Sequence, residues 1–381
     1  MTSTTARRRL APAVAAGIAA LVISACGSDP DTTDNASDDD GDDTSSEETE
    51  GDDASGLSGT LNGAGASAQE AAVQAWVAGF QTQNPDVTVN YAPEGSGAGR
   101  EQFTSGAVAF AGSDAAMDEE EMAAAEETCG GPAYHLPLYI DPIALPYNLT
   151  DIENLQLSPD TIAGIFNEEI TNWSDPAIAE DNPDAEMPDL AITPVHRSDE
   201  SGTTENFVDY LSKAAPDSWP HEVSGNWPSG LGGEAGAQTP GVIQAVQAAE
   251  GTIGYASAAA AAGMNSAAVG VGDEFTEYSA EAAAAVVSAS PMAEGHGEND
   301  LVVELARDTT ESGAYPIVLI SYTIVCSAYE DAATGELVTE YVGYAASDEG
   351  QTASSEAAGS APISDETQTA VQAALDSIQV G

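Results

Sequence analysis

The segment 196–204 carries the residues best suited to chemistry, because an arginine is followed closely by small hydroxyl residues. The apolar run before this segment predicts a strand, and the helical spacing of apolar residues after it predicts a helix. Ser201, Gly202 and Thr203 would then stand where a helix begins and its first backbone N–H groups lack partners. Together with Arg197 they are typical of an oxyanion site. Taken alone, the segment fits an ordinary capped helix with a surface arginine at least as well.

The composition excludes several classes of partner. The 381 residues contain 64 acidic side chains against 7 lysines and arginines, which gives a formal net charge of −57. Nucleic-acid and anionic-membrane surfaces both need clustered cations, so we expect the chain to bind neither directly. The 4 histidines show no metal-binding spacing, and no serine stands in a G-x-S-x-G motif. The sequence therefore predicts no metal, no cofactor and no catalytic residue.

The first 56 residues predict export and anchoring. Three arginines precede a short apolar run, which is typical of a secretory signal peptide over residues 1–25. Cys26 ends a stretch that resembles a bacterial lipobox, in which the cysteine is lipidated; a plain cleavage site with a chance cysteine is the alternative. The lipidated cysteine and the acidic linker form 26–56, where large apolar residues are almost absent, so we expect disorder. The predicted location is extracytoplasmic, anchored to the outer face of the cell membrane.

Export also bears on the two cysteines of the folded part, Cys129 and Cys326. In an oxidising compartment a disulfide between them is one interpretation. Two unpaired buried cysteines are the other. The sequence leaves both open.

Strands alternate with helices from Leu57 onward, which predicts an α/β fold. Three successive predicted strands lead into small polar residues, at Ser67, Ser96 and Asp114. In open α/β sheets ligands bind beyond the carboxyl ends of strands, so these residues predict one lobe of a binding cleft. The glycines of the first turn, 63–68, also imitate a dinucleotide motif, but an exported protein has no steady supply of NAD.

Five short motifs follow one another along the folded part: NGAGAS at 62–67, GSG at 95–97, GSD at 112–114, RSDESGT at 197–203 and WPSGLGG at 227–233. In this order they resemble the PstS family, the phosphate-binding proteins of bacterial phosphate ABC importers. The resemblance covers nearly all of the folded chain. It implies a two-lobed class II periplasmic-binding-protein fold with two hinge crossovers. Lobe I would comprise 57–141 and 318–381, and lobe II would comprise 142–317.

The resemblance also implies the residues that hold phosphate in the cleft. They are Ser67, Ala68, Ser96, Asp114, Arg197, Ser201, Gly202 and Thr203. Asp199 would pair with Arg197 and hold it in place. The family usually has Phe-Pro where this chain has Ala68-Gln69, a change that keeps the backbone donor. It usually has glycine where this chain has Glu200, so a negative charge would be added close to the ligand.

The implied function is that of a receptor, not an enzyme, which captures inorganic phosphate and delivers it to a membrane ABC permease. One alternative is a binding protein for another oxyanion, such as sulfate or molybdate. Sulfate carries no proton to give to Asp114, so this carboxylate argues against a sulfate receptor. The other alternative is an exported phosphatase, which would need a metal cluster or an activated nucleophile, and the sequence shows neither.

Overall fold

The structure is a computed structural model that describes residues 56–381. The predicted signal peptide, Cys26 and the acidic linker as far as residue 55 lie outside the described residues. In the first half of the described chain the elements are β1 (Gly59–Gly65), α1 (Glu70–Gln83), β2 (Val87–Ala92), α2 (Ser96–Thr104), β3 (Phe110–Ser113), α3 (Glu119–Cys129), β4 (Ala133–Ala144), β5 (Tyr147–Asn148), β6 (Gln156–Leu157), α4 (Pro159–Phe166), α5 (Pro176–Asp181), β7 (Thr193–Arg197) and α6 (Gly202–Ala214).

The second half begins with a short strand that follows the motif at 227–233. Its elements are β8 (Glu234–Gly236), α7 (Gln238–Ala248), β9 (Thr252–Gly254), β10 (Ala256–Ser257), α8 (Ala258–Ala261), β11 (Ala268–Val271), β12 (Glu274–Thr276), α9 (Ala280–Ala289), β13 (Val318–Cys326), β14 (Ala328–Tyr329), α10 (Ala332–Ala346), α11 (Asp348–Ala358), α12 (Asp365–Asp376) and β15 (Gln379–Val380).

Two main sheets organise the described chain into two lobes. Lobe I contains a six-stranded sheet in the order β10-β4-β13-β3-β1-β2, in which β1 is parallel to β2 and β3. Lobe II contains a four-stranded sheet in the order β5-β9-β7-β8, in which β7 is parallel to both neighbours. Parallel strands joined by helices are the pattern that the alternation in the sequence predicted, so the α/β class is confirmed.

Two long strands connect the lobes. β4 leaves the sheet of lobe I and leads into β5 of lobe II, and β13 returns the chain to lobe I. The two strands pair antiparallel from Val318 opposite Pro142 to Cys326 opposite Ala133, and every residue of β13 is buried. These are the two predicted crossovers, and the two-lobed fold is as expected. The lobe limits at 141/142 and 317/318 stay a proposal. β4 continues past the first limit to Ala144, and its last two residues pair with β10, so the six-stranded sheet extends into the second segment.

Helix boundaries and one whole helix differ from the sequence prediction. The spacing of Val73, Trp76, Val77 and Phe80 predicts a first helix over 68–82. The structure begins α1 at Glu70, with Ala68 in the turn after β1, and buries this apolar face except for Val77, which is only partly covered. The sequence reading missed α11, because the side that this helix buries consists of small and polar residues such as Gln351 and Ser354. Trp76 donates a hydrogen bond of 2.9 Å to the Gly350 carbonyl at its start.

The two cysteines of the described chain are bonded to each other, and its helices fall short of what a membrane span requires. Cys129 at the end of α3 and Cys326 at the end of β13 are joined in a disulfide, with Cα atoms 5.3 Å apart. The bond therefore ties a surface helix to a central strand within lobe I. Among residues 56–381, none of the helices combines the length and apolar character that a membrane span requires.

Candidate functional site

Lobe I brings three of the predicted residues to one edge of its sheet. Because β1, β2 and β3 are parallel, their carboxyl ends meet there, and Ser67, Ser96 and Asp114 follow them. The Ser96 hydroxyl accepts a hydrogen bond of 3.1 Å from the Asp114 N–H. The ends of β1 and β3 lie very close to each other. A Cβ on Gly65, whose φ is 144°, would lie only 1.9 Å from the Gly112 carbonyl oxygen. The glycine-rich turn is therefore needed to assemble this edge.

Lobe II supplies a strand end and a helix start. β7 ends at Arg197, and α6 begins at Gly202 after the cap residue Ser201, whose hydroxyl accepts from the Thr204 N–H at 3.3 Å. The loop is held from below by Tyr255, whose hydroxyl lies 2.8 Å from Thr204 Oγ1 and accepts from the Arg197 N–H at 3.2 Å. The first N–H groups of an α-helix have no partner within the helix, so the start of α6 offers donors.

The two halves of the predicted site are in contact. Thr203 Oγ1 donates to Asp114 Oδ2 at 3.2 Å. A Cβ on Gly202 would lie 2.6 Å from Asp114 Cβ and 2.8 Å from Ser96 Oγ, so the lobes approach closely only because residue 202 has no side chain. The predicted residues other than Gly202 are each 5% exposed or less, and Gly202 is buried. The structure joins the two lobes through Asp114 and Ser96 on one side and Gly202 and Thr203 on the other. All eight predicted ligand residues are buried: Ser67, Ala68, Ser96, Asp114, Arg197, Ser201, Gly202 and Thr203.

Arg197 is held by the residue that the sequence assigned to it. Its Nε donates to Asp199 Oδ1 at 2.9 Å, and its Nη2 donates to Asp199 Oδ2. Burial raises the pKa of Asp199, but the hydrogen bonds and charge of Arg197 outweigh it and the net pKa lies below the ordinary value. Asp199 Oδ1 also accepts from the Gln238 N–H at 2.9 Å, which anchors the pair to the start of α7. Within the described residues, Arg197 Nη1 has no hydrogen-bond partner.

Asp114 is the buried carboxyl at the centre of the site. Its backbone carbonyl accepts a hydrogen bond of 2.6 Å from the Asn206 side chain on α6. Its Oδ1 is buried and has no hydrogen-bond partner among residues 56–381. Burial raises the pKa of Asp114 above its ordinary value, although the hydroxyl of Ser321, the positive charge of Arg197 and the hydroxyl of Thr203 oppose this. Ser321 Oγ on β13 is therefore close to the carboxyl, but neither it nor Asp114 Oδ1 has a hydrogen bond of normal geometry within the described chain.

The structure adds Thr239, which sequence reasoning missed. This residue lies in the first turn of α7 and is 4% exposed. Its N–H donates to Ser67 Oγ at 3.2 Å, and the two hydroxyl oxygens are 3.0 Å apart, so it is a further contact between the lobes. The sequence predicts a helix over 240–249, whereas α7 begins two residues earlier, at Gln238. A threonine directly before that proline, at the first turn of a helix, is the signal that could have pointed to it.

Glu200 has a partner that the sequence did not reveal. We expect its charge to lie close to the ligand, and this stays a prediction. The structure adds that its Oε1 accepts a hydrogen bond of 2.8 Å from Arg100 Nη2 on α2 of lobe I. The carboxylate is therefore paired with a cation across the cleft.

A cluster of His135, His296 and Asp300 has the spacing of a metal site within the described chain. His135 Nε2 accepts from the Met117 N–H at 2.9 Å, so the ring proton is on Nδ1, which lies 2.6 Å from Asp300 Oδ1. His296 Nδ1 lies 2.7 Å from Asp300 Oδ2. Both nitrogens of His135 are therefore used, and the ring has no lone pair left for a metal ion. The cluster serves to tie Asp300 to β4.

Comparisons with known proteins identify the family of the chain. The PBP superfamily domain matches residues 44–349. The phosphate-binding protein PstS 3 of Mycobacterium leprae is 35% identical over 327 residues, which are 84% of this chain and 86% of that protein. The PstS phosphate-binding protein of Xylella fastidiosa is 31% identical over 287 residues, 74% of this chain and 76% of that protein.

A solved structure shows the same fold at lower sequence similarity. It is a high affinity periplasmic phosphate-binding protein bound with phosphate, which is 22% identical and superposes with a TM-score of 0.67, covering 83% of this chain and 93% of that one. The family match and the identity to the curated relatives extend over most of the chain. The chain therefore belongs to the PBP superfamily and, within it, to the family of the PstS phosphate-binding proteins.

Proposed function

We propose that this chain is an extracytoplasmic solute-binding protein that captures inorganic phosphate between its lobes and delivers it to a membrane ABC permease. The observation that carries the proposal is the buried Asp114 Oδ1, which has no hydrogen-bond partner among residues 56–381 and feels the positive charge of Arg197. A carboxylate acceptor and a cationic donor in one buried cleft match an oxyanion that still carries a proton. The phosphate-binding relatives at 31–35% identity support the same ligand.

The remaining ligands are proposed to be neutral donors. Ser67, Ser96 and Ser201 each accept a hydrogen bond from a backbone N–H, which leaves each hydroxyl proton free to donate. Ala68, Gly202 and Thr203 would contribute backbone N–H groups at the start of a turn and of α6. Helix N-termini favour anions, so this half of the cleft needs no further cation.

Asp114 is proposed to select phosphate over sulfate. Phosphate at neutral pH keeps a proton that it can donate to a carboxylate. Sulfate has none, so its oxygen would face the carboxylate in a buried site without a hydrogen bond. The same argument disfavours the alternative of a sulfate receptor.

We propose binding without turnover. In the cleft, the serine hydroxyls are positioned by backbone amides rather than by a histidine or other group that would take up their proton. Hydroxyls held in this way are suited to donate to a ligand. The alternative, an exported phosphatase, predicts hydrolysis of a phosphate ester.

Export and anchoring complete the proposal. Residues 1–25 would be removed as a signal peptide, and a lipid on Cys26 would attach the mature chain to the outer face of the cell membrane. Phosphate binding would close the lobes, and the closed form would dock on the permease.

The test is calorimetric titration of the purified mature chain with phosphate, sulfate and molybdate at low and high salt. We expect phosphate to bind at least about a hundredfold more tightly than sulfate at both salt concentrations. Equal affinities for phosphate and sulfate would contradict the assigned ligand. Turnover of a phosphate ester in a parallel assay would support the phosphatase alternative instead.

A further inference from the structure

Arg100 on α2 is a buried cation outside the ligand set, and it is 4% exposed. Its Nε donates to both carboxylate oxygens of Glu121 on α3, at 2.8 and 2.9 Å. Its Nη1 donates to Ser113 Oγ at 3.1 Å, next to Asp114 in the chain. Contacts within lobe I therefore hold Nε and Nη1 of the guanidinium, and Nη2 remains for a partner in lobe II.

Lobe II supplies the partner of that nitrogen. Glu200, in the loop between β7 and α6, places Oε1 2.8 Å from Arg100 Nη2. Its side chain is 46% exposed, whereas that of Arg100 is 5% exposed, so the pair lies at the mouth of the cleft. Because the two residues belong to different lobes, this contact forms only when the lobes come together.

Two glycines at the start of α2, its cap Gly95 and Gly97 in its first turn, make room for the contact. A Cβ on Gly97 would lie 2.6 Å from Glu200 Cδ. A Cβ on Gly95, whose φ is 106°, would lie 2.7 Å from Asp199 Oδ2. The loop of lobe II thus rests directly on the start of α2, and Glu200 reaches Arg100 from there.

We propose that Arg100 and Glu200 form an interlobe salt bridge that stabilises the closed, ligand-holding form of the protein. The proposal rests on the proposed function, in which the closed form is the one that holds phosphate. Glu200 then strengthens anion binding although it carries a negative charge. An interaction present only in the closed state shifts the population toward that state and slows ligand release more than it changes ligand capture.

This proposal and the simple electrostatic expectation predict opposite signs. If Glu200 acted only as a negative charge near an anion, its replacement by glutamine would tighten phosphate binding. If it holds the lobes closed, the same replacement weakens binding. The sign of the change therefore decides between the two.

The experiment measures phosphate association and dissociation rates of the mature chain by stopped-flow tryptophan fluorescence. Trp227 is a suitable reporter because its ring stacks on His196, beside Arg197, with centroids 4.9 Å apart. For Glu200→Gln we expect dissociation to become about three- to tenfold faster at low salt and association to change less. The matched control is Glu101→Gln, which removes the same charge from an exposed position on α2. Tighter or unchanged binding in Glu200→Gln would overturn the proposal.

A double-mutant cycle guards against indirect effects. Arg100→Gln should also speed phosphate dissociation. Because either substitution alone already breaks the salt bridge, the double variant should dissociate more slowly than the sum of the two single effects predicts. Additive effects of the two substitutions would overturn the proposal, even if Arg100→Gln also lowers stability through Glu121. Lys213→Gln, which removes an exposed cation, serves as the control for charge.

The failure of this proposal is separable from the failure of the proposed function. If the unsubstituted chain does not bind phosphate, the proposed function fails. Lobe closure is then compared without ligand by small-angle X-ray scattering. A smaller radius of gyration for the unsubstituted chain than for Glu200→Gln at low salt, with the difference lost in high salt, supports the salt bridge. Identical radii contradict it.

Discussion

The lobes meet at two places that use charge in opposite ways. In the cleft, the Arg197 guanidinium bonds a single carboxylate among the described residues, Asp199, through Nε and Nη2. Its charge also acts on the buried Asp114. At the mouth, Arg100 bonds two carboxylates and a serine, and all of its guanidinium nitrogens are used. The arginine with a spare nitrogen is suited to a ligand, whereas the saturated one is suited to holding structure together.

The difference explains how so acidic a chain can bind an anion. The net charge of −57 is spread over the molecule, and its exposed part is screened beyond roughly 8 Å at physiological ionic strength. Donors buried in the cleft act at much shorter range. The arginines of the described chain are buried, where their charge is least screened, and binding depends on such local donors rather than on the sign of the whole protein.

The most severe test of this comparison is Arg197→Ala. It removes the cation proposed to contact phosphate and leaves Asp199 without its partner. We expect phosphate affinity to fall at least about a hundredfold, equivalent to roughly 3 kcal/mol or more. Calorimetric titration of the variant measures this directly.

Lys213→Ala is the control, because it removes an exposed cation on α6 that is paired only with Asp209 at 3.4 Å. Its phosphate affinity should stay within about twofold of the original. If Arg197→Ala still binds phosphate with near-original affinity, the cleft assignment is wrong. A loss at Arg100→Gln larger than at Arg197→Ala would reverse the roles that the comparison gives to the two arginines.

Much of the fold and of the cleft could be predicted from the sequence. Strand ends followed by glycine and serine are local patterns, so the positions of Ser67, Ser96 and Asp114 at one sheet edge could be predicted. The capped start of α6 is also local, and Ser201 caps it as expected. These features depend on backbone rules that act over a few residues.

The contacts between lobes could not be predicted in this way. Thr239 meets Ser67 across 172 positions, and Glu200 meets Arg100 across 100, so no spacing in the sequence reveals either pair. With 64 acidic residues, the sequence also gives no reason to single out one carboxylate as paired. Glu200 became interpretable only when the structure showed which cation it faces.

Asp114→Asn sharpens the description of the cleft with a smaller expected effect. The amide keeps the shape but can donate to sulfate, so we expect the preference for phosphate over sulfate to fall about ten- to a hundredfold. Burial raises the pKa of Asp114, so in the original protein the carboxyl gains its proton at a higher pH than an ordinary aspartate does. Its selectivity should therefore decline on acidification, whereas that of the variant should already be low at neutral pH.

Titrations with both anions at pH 5 and pH 8 measure these changes. Control titrations use Asp118→Asn, a substitution at the exposed cap of α3 that should leave selectivity unchanged. If Asp114→Asn at pH 8 prefers phosphate over sulfate as strongly as the original protein does, Asp114 is not the residue that selects phosphate.

Glu205→Gln tests the mouth of the cleft with the smallest expected effect. Glu205 lies in the first turn of α6, where burial raises its pKa to about 7; Arg100 opposes the shift, and Glu121, Glu200 and Asp209 add to it. Between its ordinary value of 4.5 and about 7 the folded state holds a proton that the unfolded state has lost, so this group makes stability fall as pH rises through that window.

Glutamine cannot lose a proton, so Glu205→Gln should gain stability relative to the original chain as pH rises from 5 to 8. We expect a gain of about 1 kcal/mol, less than the full shift implies, because the side chain is partly exposed and screened by salt. Denaturant unfolding at both pH values measures it, with the exposed Glu101→Gln as the control. A gain that is the same at pH 5 and pH 8 would show that neither burial nor the neighbouring carboxylates raise the pKa of Glu205 in the folded protein.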